Sequence, residues 1–296
     1  MSARQIKGKP LSDRLRKELR ARAAAVAEER GSPPHLAILA IGGEPSSQIY
    51  LKKKLQACKE VGIESTVESL PETISETSIL RLLHKLSQDP TLDGIILDLP
   101  VPPHLDAGRL TEAISPERDV EGVTTANAGR LCSEKSYSAL HGSSLLVPCT
   151  PNAIIHLLLE TGVDPNGRDA VVVGRSNIVG KPTAHLLCAL DATVTLCHSR
   201  TRDLKEHVRR ADILVSAIGR PHAIKGSWIK RGAVVLDAGV SSSGKTIRGD
   251  VEFDKAAKRA AYITPVPGGV GPLTVTFLLY NTVVSAKRRT RRSLHS

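Results

Sequence analysis

The sequence predicts an α/β protein of two domains, each built on a parallel sheet. Three observations predict it. The chain has 296 residues, and single cores usually split into domains by roughly 250–300 residues. Residues 35–100 alternate short apolar runs with helical periodicity, in the order β-α-β-α-β that right-handed crossovers produce. The same alternation restarts at Pro148 and runs to Pro272 without repeating any residues.

Taken in order, Leu11, Leu15, Leu19, Ala23 and Val26 recur at helical spacing over residues 10–30, and Ser32-Pro33-Pro34 stops that helix. HLAILAIGG (35–43) is an apolar strand closed by glycines. Residues 46–61 are helical and end at Gly62, and STVESLP (65–71) alternates as a strand. Ile79, Leu82, Leu83 and Leu86 make a helical stripe, and GIILDLP (94–100) is a second buried strand stopped by prolines. Pro148 and Pro151 flank the next helix start. DAVVVGRSNIVGKP (169–182) then reads as strand, glycine turn and helix. Strands follow in ATVTLCHSRT (192–201), ADILVSAIG (211–219), GAVVLDAGV (232–240) and at the head of YITPVPGGVGP (262–272). Residues 273–286 form a long last helix, expected to return to the first domain.

Composition narrows the classes. Hydrophobic residues are 41% and charged residues 24%, which excludes wholesale disorder, and 2% aromatics demand an aliphatic core. No apolar run approaches the ~20 residues of a membrane span. The opening MSARQIKGKPLSDRLRKELR has no signal-peptide core, so a cytoplasmic protein is expected. Five scattered cysteines without metal spacing read as reduced thiols in or near the core, and no metal is expected. Of the net charge of +11, Lys287, Arg288, Arg289, Arg291 and Arg292 supply five, leaving +6 for the rest. That tail reads as a solvated, fraying terminus dispensable for turnover, and nucleic acid is not expected as a partner.

Several residues can carry chemistry. Gly174-Arg-Ser-Asn-Ile-Val-Gly180 sits where a strand ends and a helix begins, as phosphate-binding turns do. Its spacing is not GxGxxG, so alone it reads equally as a plain turn. The next strand ends in His198-Ser199-Arg200-Thr201 with no acid before Asp203. Together with Arg175, that ending suits a 2′-phosphate, hence NADP, although two exposed arginines need no ligand. Tyr50 and Lys54, four apart, share a helix face, and Asp98 ends a parallel strand where open α/β sheets form their crevice. Pro265 to Pro272 packs three prolines and three glycines into a shaped loop, and Asp119 and Glu121 are two apart in another.

These motifs together resemble the methylenetetrahydrofolate dehydrogenase/methenyltetrahydrofolate cyclohydrolase family. PSSQIYLKKKLQACKEVGI (45–63), DGIILDLPVPP (93–103), RDVEGVTTANAGRL (118–131), PCTP (148–151), GRSNIVGKP (174–182) and YITPVPGGVGPLT (262–274) carry the likeness in family order. The resemblance implies a folate/catalytic domain at 1–147, completed by 270–296, and a Rossmann-like NADP-binding domain at 148–269. It implies oxidation of 5,10-methylenetetrahydrofolate with NADP, hydrolysis of the product to 10-formyltetrahydrofolate, and a homodimer.

Residue by residue, the resemblance implies that Tyr50 flanks the pterin and Lys54 serves the cyclohydrolase. Leu97, Leu99 and the loop Pro267, Gly268, Gly269, Val270, Gly271, Pro272 and Thr274 would line the folate site. Gly174, Arg175, Ser176, Ser199 and Arg200 would hold NADP, with Val240 near the nicotinamide. The chain departs from the family with Asp98 for Gln and Glu121 for Asp, both at the folate end. Asp98 is therefore expected to hold Lys54 as a salt-bridged cation and weaken it as a base. The alternatives are a monofunctional dehydrogenase, or a folate- or nucleotide-binding protein whose site has decayed.

Overall fold

The structure is a computed structural model, and it describes residues 2–42, 45–142, 145–243 and 246–293. Two compact units emerge. One comprises Arg14–Arg130, Ser144–Val147 and Val275–Ser296. The other comprises Met1–Asp13, Leu131–Ser143 and Pro148–Thr274.

The first unit holds a three-stranded parallel sheet with His35–Ile41 between Glu64–Leu70 and Gly94–Leu97. Helix Glu76–Gln88 explains why one face packs. Ser75 caps its start by accepting from the Ser78 N–H at 3.2 Å. Ile79, Leu83 and Leu86 then fall on one stripe and bury against Ala37, Leu39, Ile95 and Leu97. The strand predicted over 94–100 stops at Leu97. Only Asp98 extends the ladder, through its N–H to the Leu39 carbonyl at 2.8 Å, because Pro100 has no N–H to donate.

The second unit is a six-stranded sheet with every pairing parallel. Its order is Arg4–Gln5, Tyr262–Ile263, Val234–Asp237, Ile213–Ser216, Asp169–Val173, Thr193–Cys197. Chain order reverses between Asp169–Val173 and Ile213–Ser216. That is the switch point at whose carboxyl end such sheets bind ligands. The core is aliphatic, led by Val171, Val173, Leu214, Val235 and Ile263. A small antiparallel hairpin, Ser241–Ser243 with Thr246–Arg248, follows Val240.

Three sequence expectations need correction. Residues 1–13 and 131–143 cluster with the six-stranded sheet rather than with the rest of 1–147, the first of them because Arg4–Gln5 adds an edge strand beside Tyr262–Ile263. The last helix is Gly271–Ser293, so most of the basic tail is helical rather than frayed. Thr290 is buried, and Arg289 donates to the carbonyls of Leu92 and Pro90. Residues 294–296 of that tail, and Gly43 of the first strand's glycine pair, lie outside the described residues. Among the cysteines, all free, Cys58, Cys149 and Cys197 are buried but Cys132 and Cys188 are exposed, outside the core. Among the described residues, no helix is long and apolar enough to cross a membrane.

Candidate active site

In the first unit, helix Pro45–Val61 presents Tyr50 and Lys54 one turn apart. Tyr50 is 48% exposed, with Lys53 Nζ 5.5 Å from its ring centroid. Lys54 points inward and donates to Asp98 Oδ1, forming an ion pair in which Asp98 is buried. The strand Gly94–Leu97 aims Asp98 at that helix, with Leu97 buried and Leu99 exposed on either side. A cavity of about 400 Å³ opens beside Asp98, walled by Ala40, Ile41, Leu51, Leu55 and Val67. An apolar chamber with a few convergent polar groups is the ordinary form of a small-molecule site.

Glu121 faces the same charges. Burial pushes its carboxyl up to about 7, Lys54 opposes the rise, and Asp119 and Asp98 add to it. A tight loop fixes it there. Asp119 Oδ2 accepts from the Thr124 N–H (2.8 Å), the Thr124 hydroxyl (2.7 Å) and Asn127 Nδ2 (2.9 Å). Asn281 Nδ2 donates to the carbonyls of Val120 and Val147, both at 2.8 Å, tying the last helix to this loop. Sequence reasoning missed Asn281 and Asn127, since a lone amide in a helix carries no signal of burial.

A raised folded-state pKa means that ionising Glu121 costs folding energy. Stability is full below the unfolded value near 4.5 and falls as pH rises through about 7. We expect Glu121→Gln to remove that dependence, narrowing the stability difference between pH 5 and pH 8 by on the order of 1–3 kcal/mol. Urea midpoints of both proteins at the two pH values test it. An unchanged difference would refute it.

In the second unit, the turn after Asp169–Val173 can only be built from glycine. Gly174 has φ +130°, and a Cβ there would lie 2.3 Å from the Ala217 carbonyl oxygen. A Cβ on Gly180 would lie 1.9 Å from the Gly174 oxygen. Ser176 Oγ accepts from the N–H groups of Val179 (3.2 Å) and Gly180 (3.3 Å), at the start of helix Gly180–Ala189. Arg175, Ser199 and Arg200 are exposed, and neither guanidinium has an ion-pair partner among the described residues. His198 Nδ1 accepts from the Arg200 N–H at 3.1 Å, setting the end of the next strand.

The proline-glycine loop belongs to this unit as well. Gly8 N–H donates to the Gly268 carbonyl at 2.8 Å, and a Cβ on Gly8 would lie 1.9 Å from the Gly269 oxygen. Gly269 and Val270 are buried, Pro267, Gly268 and Gly271 are exposed, and Pro272 and Thr274 are half-buried. Thr274 Oγ1 lies 3.3 Å from Thr150 Oγ1. Val240 is 57% exposed beside its hairpin.

A parallel sheet with a glycine turn at its switch point, joined in one chain to a lysine–carboxylate site on a second sheet, defines a two-domain dinucleotide-binding enzyme class. The catalytic-domain pattern of tetrahydrofolate dehydrogenase/cyclohydrolase matches residues 6–121, and the NAD(P)-binding-domain pattern of the same enzymes matches residues 148–290. The chain belongs to the tetrahydrofolate dehydrogenase/cyclohydrolase family. The bifunctional protein FolD of Geotalea uraniireducens is 49% identical over 97% of this chain and 100% of its own. That of Moorella thermoacetica is 46% identical over 97% and 100%. The crystal structure of Trypanosoma brucei FolD, complexed with NADP cofactor and inhibitor, superposes with a TM-score of 0.91 at 36% identity, covering all of both chains.

Proposed function

We propose that this chain oxidises 5,10-methylenetetrahydrofolate to 5,10-methenyltetrahydrofolate with NADP and hydrolyses the product to 10-formyltetrahydrofolate. The observation that carries the reading is the Lys54–Asp98–Glu121 cluster beside an apolar cavity, in a chain that matches both family domains. NADP, when bound, supplies the hydride acceptor. The glycine turn fits it, since Gly174 and Gly180 leave a cradle that a Cβ would fill and Arg175 stands free for a 2′-phosphate. Gly174, Arg175, Ser176, Ser199 and Arg200 hold the nucleotide, and Val240 borders its nicotinamide.

Tyr50 flanks the pterin and exposed Leu99 borders it, whereas Leu97 is packed in the core against helix Glu76–Gln88. Hydride transfer asks these groups for position rather than for an acid or base. Hydrolysis also needs a group to take a proton from water. Lys54 is engaged in an ion pair with Asp98 instead of facing water, so hydrolysis is the slower half. Purified protein given methylenetetrahydrofolate and NADP should form NADPH while methenyl-folate accumulates, followed together by absorbance. No NADPH would overturn the reading.

Arg175→Ala should raise KM for NADP by about ten- to a hundredfold, the value of one charge-assisted bond, and change KM for NAD little. Equal efficiency with both cofactors in the unmutated protein would count against this assignment. We further propose a cytoplasmic homodimer, as the family resemblance implies. The edge strand Thr193–Cys197, with Leu196 37% exposed, offers a second copy a surface, and the mass found by sedimentation in solution tests the dimer.

A further inference from the structure

Behind the glycine turn lies a feature that neither half-reaction uses: two buried carboxylates without a cation. Asp237 ends the strand Val234–Asp237, and Asp250 follows the Ser241–Arg248 hairpin. They are 4% and 0% exposed, and neither forms an ion pair among the described residues. Asp250 Oδ2 accepts from the Ser216 hydroxyl (2.9 Å) and the Ile218 N–H (2.7 Å), and its Oδ1 from the Arg220 N–H (2.8 Å). Asp237 Oδ1 accepts from the N–H groups of Gly239 (2.9 Å) and Asp250 (3.2 Å), and its Oδ2 from that of Val251 (2.9 Å).

The two segments that these carboxylates hold approach too closely for side chains. A Cβ on Gly239 would lie 2.0 Å from the Asp250 carboxyl carbon, and one on Gly249 would lie 2.2 Å from Asp237 Oδ2. Asp250 thus pins Ile218–Arg220 as that segment leaves one strand. Asp237 closes the root of the hairpin that carries exposed Val240 as it leaves the neighbouring strand. Both exits lie at the carboxyl edge of the sheet, next to Gly174, whose turn packs on Ala217. Burial and the Asp250 charge push Asp237 up to about 7, so the arrangement is costly to keep. Only a carboxylate can accept on every side here. An amide would turn its NH₂ against one of the N–H donors.

We propose that Asp250 and Asp237 are positioning residues for the nicotinamide half of NADP, holding Ile218–Arg220 and Gly239–Val240 as one rigid wall. The inference rests on the dehydrogenase reading above. The test uses full-length Asp250→Asn and Asp237→Asn, measuring KM and kcat with NADP alongside hydrolysis of methenyltetrahydrofolate supplied directly. We expect KM for NADP to rise at least tenfold while hydrolysis stays within twofold. Ser216→Ala, which removes one donor of three and spares the charges, should raise KM about threefold and guards against variants that fail to fold. Unchanged NADP kinetics, or equal loss of both activities, would overturn the positioning role while leaving the dehydrogenase reading intact. An unmutated protein that neither binds nor reduces NADP would bring down both.

Discussion

Replacing Asp98 with Gln should raise methenyl-folate hydrolysis by about ten- to a hundredfold relative to NADPH formation. A positioned general base contributes roughly 10²–10⁴-fold, and here its candidate is tied up. Lys54 Nζ lies in contact with a buried carboxylate, whose Coulomb attraction is screened little at that depth. A neutral amide keeps the hydrogen bond to the amine and removes the ion pair that ties it up. Hydride transfer depends on the placement of folate and nucleotide, so NADPH formation should change by less than threefold. Paired absorbance traces of NADPH and methenyl-folate measure both at once. The opposite pattern, with hydrolysis already keeping pace with oxidation in the unmutated protein and lost in Asp98→Asn, would make Asp98 the base.

The long elements were legible because they are periodic. Ile79, Leu83 and Leu86 bury along the stripe their spacing announces, and the apolar strands pair where alternation with helices demands. Short or polar elements escaped. Arg4–Gln5 is a strand of two exposed residues, and the hairpin around GVSSSGKTIRGD has no hydrophobic face to give it away. At the site, the residue types that do chemistry were visible, and the family likeness ordered them. The residues that hold them in place were not. Asp119 was noted only as half of a carboxylate pair, and Asp250 and Asn281 are single polar residues whose partners lie 30 or more positions away. The tail misled for a related reason. Five cations in ten residues read as solvated, yet helical spacing puts Ala286 and Thr290 on the buried face.

That correction adds a stability effect to the expectation for truncation. Ending the chain after Ala286 should destabilise the first unit by about 2–4 kcal/mol and lower Tm by roughly 5–10 °C. Arg289 donates to the carbonyls of Leu92 and Pro90 and to Asp93 Oδ1 at 3.2 Å. Asp93 is fully buried and also takes a bidentate pair from Arg30, at 2.9 and 2.7 Å. Arg118 adds bonds to the Leu92 carbonyl (3.0 Å) and the Asp89 carbonyl (2.5 Å). Three arginines from three parts of the chain therefore hold the turn that feeds the strand Gly94–Leu97, which leads to Asp98. Loss of Arg289 removes a charge-assisted set worth about 1.5–3 kcal/mol, and loss of the last helical turns exposes the face around Thr290. Relief of repulsion offsets a small part of this, because burial first, and Arg289 after it, lower the pKa of Arg118. Arg30 keeps Asp93 paired, so the unit loosens rather than unfolds. Arg289→Ala alone should account for about half the effect. A truncated protein that melts with the unmutated one would show that the turn is held without the tail.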